Sequence, residues 1–168
     1  MTKRKSVYKG KLLNLYESHK KMPNGAQAYF EEIDHPGAAL IVPFLKGKVV
    51  MIRQYRGVIE KYIWELPAGT LEEGETPYSC AKREAAEETG FKVSSLKKLG
   101  VVYTTPGFCN EMIHIYRAEC SGASDAQGDP DECVDVRILG KKEVRALFSA
   151  GKILDSKTIC ALKFAGII

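Results

Sequence analysis

The stretch Gly69–Phe91, GTLEEGETPYSCAKREAAEETGF, decides how this chain is read. It sets Glu72, Glu73, Glu75, Glu84, Glu87 and Glu88 within one short span. Like charges this dense oppose folding unless something positive sits among them. One or more divalent cations are the natural compensating charge. Local signals place the carboxylates on a helix. Thr76 suits the N-cap, Pro77 the first helical position, and Gly90 the left-handed residue past the end. The spacing predicts a helix over about Pro77 to Thr89, with Ala81, Ala85 and Tyr78 packing on a sheet. Glu84, Glu87 and Glu88 fall at i, i+3 and i+4, so their carboxylates share one face. Glu75 lies just before the helix and can bend toward its first turns. Hard cations such as Mg²⁺ or Mn²⁺ take a few carboxylates, waters and substrate phosphates. The plainer alternative is a solvated acidic face paired with Arg83 and Lys82.

Outward from this helix the chain reads as strands before it, and as strands followed by helices after it. Lys11–Ser18 and Ala26–Ile33 form a strand pair around a Pro23-Asn24-Gly25 turn. Ala38–Phe44 and Lys48–Arg56 are rich in Val, Ile, Phe and Tyr and flank Lys46-Gly47. They read as a hairpin in a buried sheet. Tyr62–Leu66 is a short strand, and Pro67-Ala68-Gly69 turns the chain. Leu99–Thr104, Met112–Glu119 and Val134–Leu139 are later strands, with a polar loop over Ser121–Asp131. Lys141–Ala150 and Ser156–Ala165 are closing helices, the second capped by Asp155 or Ser156. The class is α/β: a mixed sheet covered by helices, not a doubly wound nucleotide fold.

The 168 residues suit one domain with a real core. Net charge is only +4, and the basic residues form short clusters. Nucleic acid is therefore not the expected ligand. An acidic segment inside a mildly basic chain suits an anionic small molecule that meets a metal at one end and Lys or Arg at the other. The five cysteines, Cys80, Cys109, Cys120, Cys133 and Cys160, are odd in number and lack CxxC spacing. They read as reduced thiols rather than a zinc site or disulfide framework. No signal peptide or membrane-length apolar run is visible, so the expected location is cytoplasmic, with no membrane partner.

The flanking residues turn the acidic helix into a motif. Gly69, Glu75, Arg83-Glu84, Ala85, Ala86, Glu87-Glu88, Thr89, Gly90 and Phe91 match the Nudix box, with Ala85 where an aliphatic residue is usual. Arg53-Gln54-Tyr55-Arg56, Trp64 to Gly69, and Pro106-Gly107 resemble the ADP-ribose pyrophosphatase branch of that family. The likeness runs from about His35 to the C-terminus. It implies a Nudix α/β/α sandwich with a mixed β-sheet and an N-terminal antiparallel strand pair. Residues 1–33 would be dimerising strands and 34–168 the hydrolase domain, in a homodimer.

The resemblance also implies a reaction: Mg²⁺- or Mn²⁺-dependent hydrolysis of ADP-ribose or a related nucleoside diphosphate sugar. Glu84 and Glu88 would be the central metal ligands, with Glu87 close by and the Ala68 carbonyl completing the set. Arg83 would orient the carboxylates, chiefly through Glu75. Gly69 would let the backbone turn tightly beside the metals. Glu132, at the end of the polar loop, is the first choice of metal-binding or catalytic carboxylate, and Glu111 is the second. Asp129 and Asp131 are neighbours that can be confused with Glu132. Bound cations would neutralise the phosphate oxygens and make hydroxide available near neutrality.

The candidate substrate-binding residues are Arg53, Arg56, Trp64, Glu65, Pro106 and Tyr29. Arg53 and Arg56 suit bidentate phosphate contacts, with an ion pair to Glu65 or Glu60 as the alternative. For Trp64 and Tyr55 the alternative is a place in the core, the commoner fate of an aromatic beside a strand. Tyr29 or Phe30 would stack on a base, across the dimer interface. Pro106, 16 residues beyond Gly90, would stiffen the loop framing the terminal sugar. The His residues 19, 35 and 114 read as structural or solvated. Rival readings are another nucleotide specificity such as GDP-mannose, ADP-glucose or a damaged nucleoside triphosphate, a non-catalytic nucleotide-sugar sensor, and an RNA-cap hydrolase.

Overall fold

The computed structural model describes residues 4–10, 13–126 and 134–168. The element order is β1 (Lys5–Lys9), β2 (Asn14–Lys21), β3 (Gln27–Asp34), β4 (Ala38–Leu45), β5 (Lys48–Arg56), β6 (Lys61–Glu65), β7 (Ala68–Thr70), α1 (Pro77–Thr89), β8 (Phe91–Tyr103), β9 (Met112–Ala123), β10 (Val134–Leu139), α2 (Lys141–Ser149) and α3 (Ser156–Phe164). Strands β1, β2 and β3 form a separate antiparallel sheet. The main sheet runs β10-β5-β4-β9-β8, with β6 paired to β5 and β7 paired to β4. Among the described residues only β4 and β9 run parallel within it.

Strand β4 sits at the centre because every residue from Ala38 to Phe44 is apolar and buried. Its alternate residues feed two cores. Ala39 and Ile41 pack with Cys80, Ala81 and Ala85 of α1. Leu40, Val42 and Phe44 pack on the other side with Val144, Ala161 and Leu162 of α2 and α3. The result is helix, sheet, helix: the expected α/β/α sandwich.

The β4–β5 hairpin is real only at its tip. Lys46 and Gly47 both have positive φ (50° and 79°), the conformation two-residue hairpins need. The two strands pair at Phe44–Val49 and Leu45–Lys48 and then diverge. Strand β6 fills the gap against β5, Pro67 crosses it, and β7 pairs with β4. Ala68-Gly69, expected as a turn, is therefore a short strand wedged beside the central one. This wedge delivers Gly69 to the face where α1 lies.

Three other expectations are adjusted. The N-terminal pair has a third strand, β1, which is only five residues long (KSVYK) and exposed along its whole length. Strand β8 begins at Phe91, directly after Gly90, not at Leu99. Register shifts at three places interrupt its alternation and hide the strand from a period-two reading. On α1, Cys80 rather than Tyr78 joins Ala81 and Ala85 in the packed face; Tyr78 is exposed and meets the Tyr116 ring edge-on. No described helix is long and apolar enough to cross a membrane.

Candidate active site

Helix α1 is capped as its sequence requires. The Thr76 hydroxyl accepts from the Ser79 N–H (3.1 Å). Gly90, at φ 72°, ends the helix and donates its N–H to the Ala86 carbonyl. Burying the Cys80–Ala81–Ala85 face turns the acidic face toward β7. There Arg83 gathers the carboxylates. Its Nε and Nη2 donate to the two oxygens of Glu75 (3.1 and 3.0 Å), and its Nη1 donates to Glu84 (2.7 Å) and Glu87 (3.1 Å). These partners raise the Arg83 pKa further, and its grip holds the Glu75 carboxyl below the usual range.

Glu88 is only 7% exposed and accepts the Ala68 N–H at 2.8 Å. The Glu84 carboxylate lies against Gly69. An added Cβ there would sit 1.7 Å from Oε1 and 1.9 Å from Cδ. The φ of Gly69 is not in the left-handed region. The glycine thus serves close approach of a carboxylate, not the tight turn expected from sequence. Cys80 lies beneath; burial first, then Glu75 and Glu84, push its thiol up to about 12, so it stays neutral.

Gly69, Ala68 and Thr70 line a cavity of about 390 Å³ with Arg56, Glu111 and Lys157. Glu111 accepts from the Thr104 hydroxyl (2.7 Å) and lies 3.7 Å from the His35 Nε2. His35 Nδ1 accepts the Gly37 N–H (3.0 Å), which fixes the ring. Arg56 forms a two-point pair with Glu65 (2.6 and 2.7 Å). Lys157, from the start of α3, donates to Glu65 (2.5 Å) and Asp155 (3.0 Å). Asp155 caps α3 by accepting the Thr158 N–H; the Thr158 hydroxyl donates to Asp155, and its oxygen accepts the Leu66 N–H.

The candidate residues therefore separate. Ala68, Arg83, Glu84, Glu87 and Glu88 come together, and Arg56 and Glu111 share the adjoining cavity. Glu65, expected to touch substrate, is 1% exposed and sits behind Arg56 as its anchor. Arg53 is three residues from Arg56, hence on the opposite strand face, over the rings of Tyr62 and Trp64 (5.7 Å to each). Trp64 packs toward α2, away from the carboxylates. Pro106 faces a different cavity of about 220 Å³ beside the N-terminal sheet, where Phe30 and Phe108 are the aromatics. Tyr29 points the other way along β3, half exposed, with its hydroxyl donating to Glu17 (3.1 Å). Glu132, Asp129 and Asp131 lie outside the described residues. Lys157 and Thr104 were missed. One local signal did mark Lys157: a cation in the first turn of a helix opposes the helix dipole and needs a partner.

The donor set suits a hard cation, being carboxylate oxygens beside a glycine that leaves room for them. Among the described residues no three such side chains converge on one point, since Arg83 and the Ala68 N–H hold them. Mg²⁺ needs no such convergence, because it binds through one or two carboxylates plus waters and substrate phosphates.

The Glu65 cluster gives a pH prediction. Burial pushes the Glu65 carboxyl up, but Arg56 and Lys157 outweigh it and hold the group below its usual range. A depressed folded pKa stabilises the fold above the unfolded value of about 4.3, and this contribution disappears as pH falls through the folded value. In thermal melts from about pH 6 to about pH 3, the gap between wild type and Glu65→Gln should shrink with acidification. A gap that stays constant would count against this account.

Comparisons with known proteins agree with this geometry. The NUDIX domain model matches residues 34–160. The chain is 34% identical to an ADP-ribose pyrophosphatase of Bacillus subtilis, over 96% of this chain and 89% of the relative. It is 38% identical to a methanol dehydrogenase activator of Bacillus methanolicus over the same shares, and 37% identical to a GDP-mannose pyrophosphatase of Yersinia enterocolitica over 72% of this chain and 68% of that one. A solved ADP compounds hydrolase superposes with TM-score 0.85 at 21% identity, covering 98% of this chain and 91% of the other, a likeness of fold. With its carboxylate helix, sandwich architecture and family match in agreement, this chain belongs to the NUDIX family and is a hydrolase of that family.

Proposed function

We propose that the chain hydrolyses the pyrophosphate linkage of ADP-ribose or a related nucleoside diphosphate sugar, giving a nucleoside monophosphate and a sugar phosphate. The observation that carries the reading is the carboxylate face of α1, brought beside Gly69 at the edge of a cavity that also holds Arg56 and Glu111. Relatives named for ADP-ribose and GDP-mannose hydrolysis support it. Mg²⁺ or Mn²⁺, held by Glu84 and Glu88 with Glu87 and Ala68 nearby, would supply charge neutralisation and a more acidic water. Arg83 keeps the carboxylates in place, Arg56 binds a phosphate, and Glu111 or Glu132 takes the proton of the attacking water. Glu111 is well placed for this, because Thr104 fixes one oxygen and the other faces His35. GDP-mannose is the second reading, favoured by several relatives of that name.

The test is a panel of nucleoside diphosphate sugars and nucleoside triphosphates with Mg²⁺, products separated by chromatography. AMP and ribose 5-phosphate from ADP-ribose is the expected result. GMP from GDP-mannose alone would move the assignment to the second reading. Binding without turnover would make the chain a sensor.

We further propose that residues 1–33 pair two copies of the chain. Among its described residues the three-stranded sheet buries only Ser18, and it exposes Val7, Tyr8 and Tyr29, with Leu13 exposed just before β2. A sheet this small needs a packed face to be stable. A symmetric second copy supplies one. Light scattering should give twice the 18.6 kDa chain mass; a monomer at micromolar concentration would refute the pairing. The four described cysteines are all free, which suits the reducing cytoplasm.

A further inference from the structure

The three-stranded sheet and the main sheet are separate, yet a short seam of hydrogen bonds joins them beside Glu111. Ile33 donates its N–H to the Phe108 carbonyl (2.7 Å) and accepts the Asn110 N–H (3.3 Å), an isolated parallel bridge. The Asn110 side chain closes the seam. Its Oδ1 accepts the His35 N–H (2.7 Å), and its Nδ2 donates to Asp34 Oδ1 (2.8 Å). Asp34 is the last residue of β3, and its other oxygen accepts from Arg4 (3.2 Å), ahead of β1. Only an amide fits this place, since one end must accept from a backbone N–H while the other donates to a carboxylate. Asn110 is exposed, so water could serve both ends; both are instead committed to the end of β3.

The residue after Asn110 is Glu111, on the rim of the cavity beside Gly69. The backbone bonds that flank it are long: Asn110 N–H to Ile33 at 3.3 Å, and Thr104 N–H to the Glu111 carbonyl at 3.4 Å. The shorter side-chain contacts of Asn110 therefore hold the segment more firmly than its backbone does. His35, gripped by the same amide, turns its ring to Glu111. Because Nδ1 accepts the Gly37 N–H, the proton of the neutral ring lies on Nε2, 3.7 Å from Glu111 Oε1. We propose that Asn110 is a positioning residue. By clamping the end of β3 it sets His35 and the Glu111 carboxylate at the rim of the cavity, and it makes the N-terminal sheet part of the framework of the site. This rests on the reading that Glu111 acts in the hydrolysis.

The experiment measures ADP-ribose hydrolysis by wild type, Asn110→Ala, Glu111→Gln and the double variant, with thermal melts beside each. Asn110→Ala should lower kcat/KM about tenfold or more, the cost of a misplaced reacting group. Glu111→Gln should lower it about 10²-fold. In the Glu111→Gln background the asparagine change should cost less than about twofold, because the group it positions has already lost its charge. A merely structural asparagine would lower the melting temperature and multiply its rate effect with that of Glu111→Gln. Asn110→Asp sets two carboxylates together and should also lower the rate. Adding Asp34→Asn restores a donor facing an acceptor, with the ends exchanged, and should recover most of it; this pair carries the comparison if Asn110→Ala fails to fold. The readout independent of activity is the NMR signal of the Glu111 carboxyl carbon, assigned by its loss in Glu111→Gln. It should move in Asn110→Ala and return in the exchanged pair. Equal kcat/KM in wild type and Asn110→Ala, a wild-type rate in Glu111→Gln, or full additivity of the two changes overturns the proposal. No turnover of any nucleotide sugar by wild type, with a Glu111 signal that still answers to Asn110, would uphold the clamp and refute the hydrolytic reading. ADP-ribose turnover with rate and signal indifferent to Asn110 would do the reverse.

Discussion

Glu88→Gln should lower kcat/KM for ADP-ribose by about 10³-fold or more while leaving the fold intact. The magnitude follows from the role of the cation. Neutralising a phosphoryl oxygen and acidifying water contribute several kcal/mol to the transition state, and about 4 kcal/mol corresponds to about 10³ in rate. A glutamine has nearly the shape of the carboxylate. It keeps an oxygen that accepts the Ala68 N–H, the 2.8 Å contact tying α1 to β7. It loses the negative charge a hard cation requires. Stability and activity should therefore part company, with melting curves nearly superimposed and product formation almost absent. Glu73→Gln is the control, because that side chain is exposed in the turn before α1 and should leave both unchanged. Retention of activity within tenfold by Glu88→Gln would show that the α1 carboxylates do not carry the chemistry.

The helix that bears these carboxylates was legible because its signals are local. Thr76, Pro77 and Gly90 bound α1 at Pro77 and Thr89, and the Glu84, Glu87, Glu88 spacing fixes one face without reference to the rest of the chain. The sandwich was legible from the order of elements and the all-apolar run Ala38–Phe44. What was not legible depends on pairs far apart in sequence. Glu65 meets Lys157, and the Leu66 N–H meets Thr158, across 92 residues. No periodicity predicts either. The divergence of β4 from β5 was hidden for the same reason: a good two-residue turn dictates pairing only near itself, and the β6–β7 wedge decides the rest. Two assignments could have been sharpened from sequence alone. Positions 53 and 56 differ by an odd number, so a strand must point them to opposite faces. The same rule separates Tyr29 from Phe30 on β3, and only Phe30 reaches the cavity that contains Pro106.

Gly69→Ala should reduce kcat/KM by about 10²-fold with little change in stability. The backbone at Gly69 is not in the left-handed region, so alanine brings no conformational strain there. The conflict is wholly steric and falls on one group. The new methyl carbon would lie 1.7 Å from Glu84 Oε1, 1.9 Å from its Cδ and 2.5 Å from Oε2, far inside any permitted contact. That carboxylate ends a flexible side chain, so it can swing aside at small cost. The hydrogen bond from Arg83 Nη1 (2.7 Å) would have to follow or break. The displaced carboxylate no longer occupies its place beside β7, and a misplacement of about 1 Å at a reacting centre can cost about 10²-fold. Gly69→Ala thus tests the close approach itself, separately from the charge that Glu88→Gln removes. Chromatographic rates with ADP-ribose, read beside thermal melts, decide the matter. Full activity in Gly69→Ala would mean that Glu84 does its work from somewhere other than the flank of β7, and a large fall in melting temperature would mean that the glycine serves the fold instead.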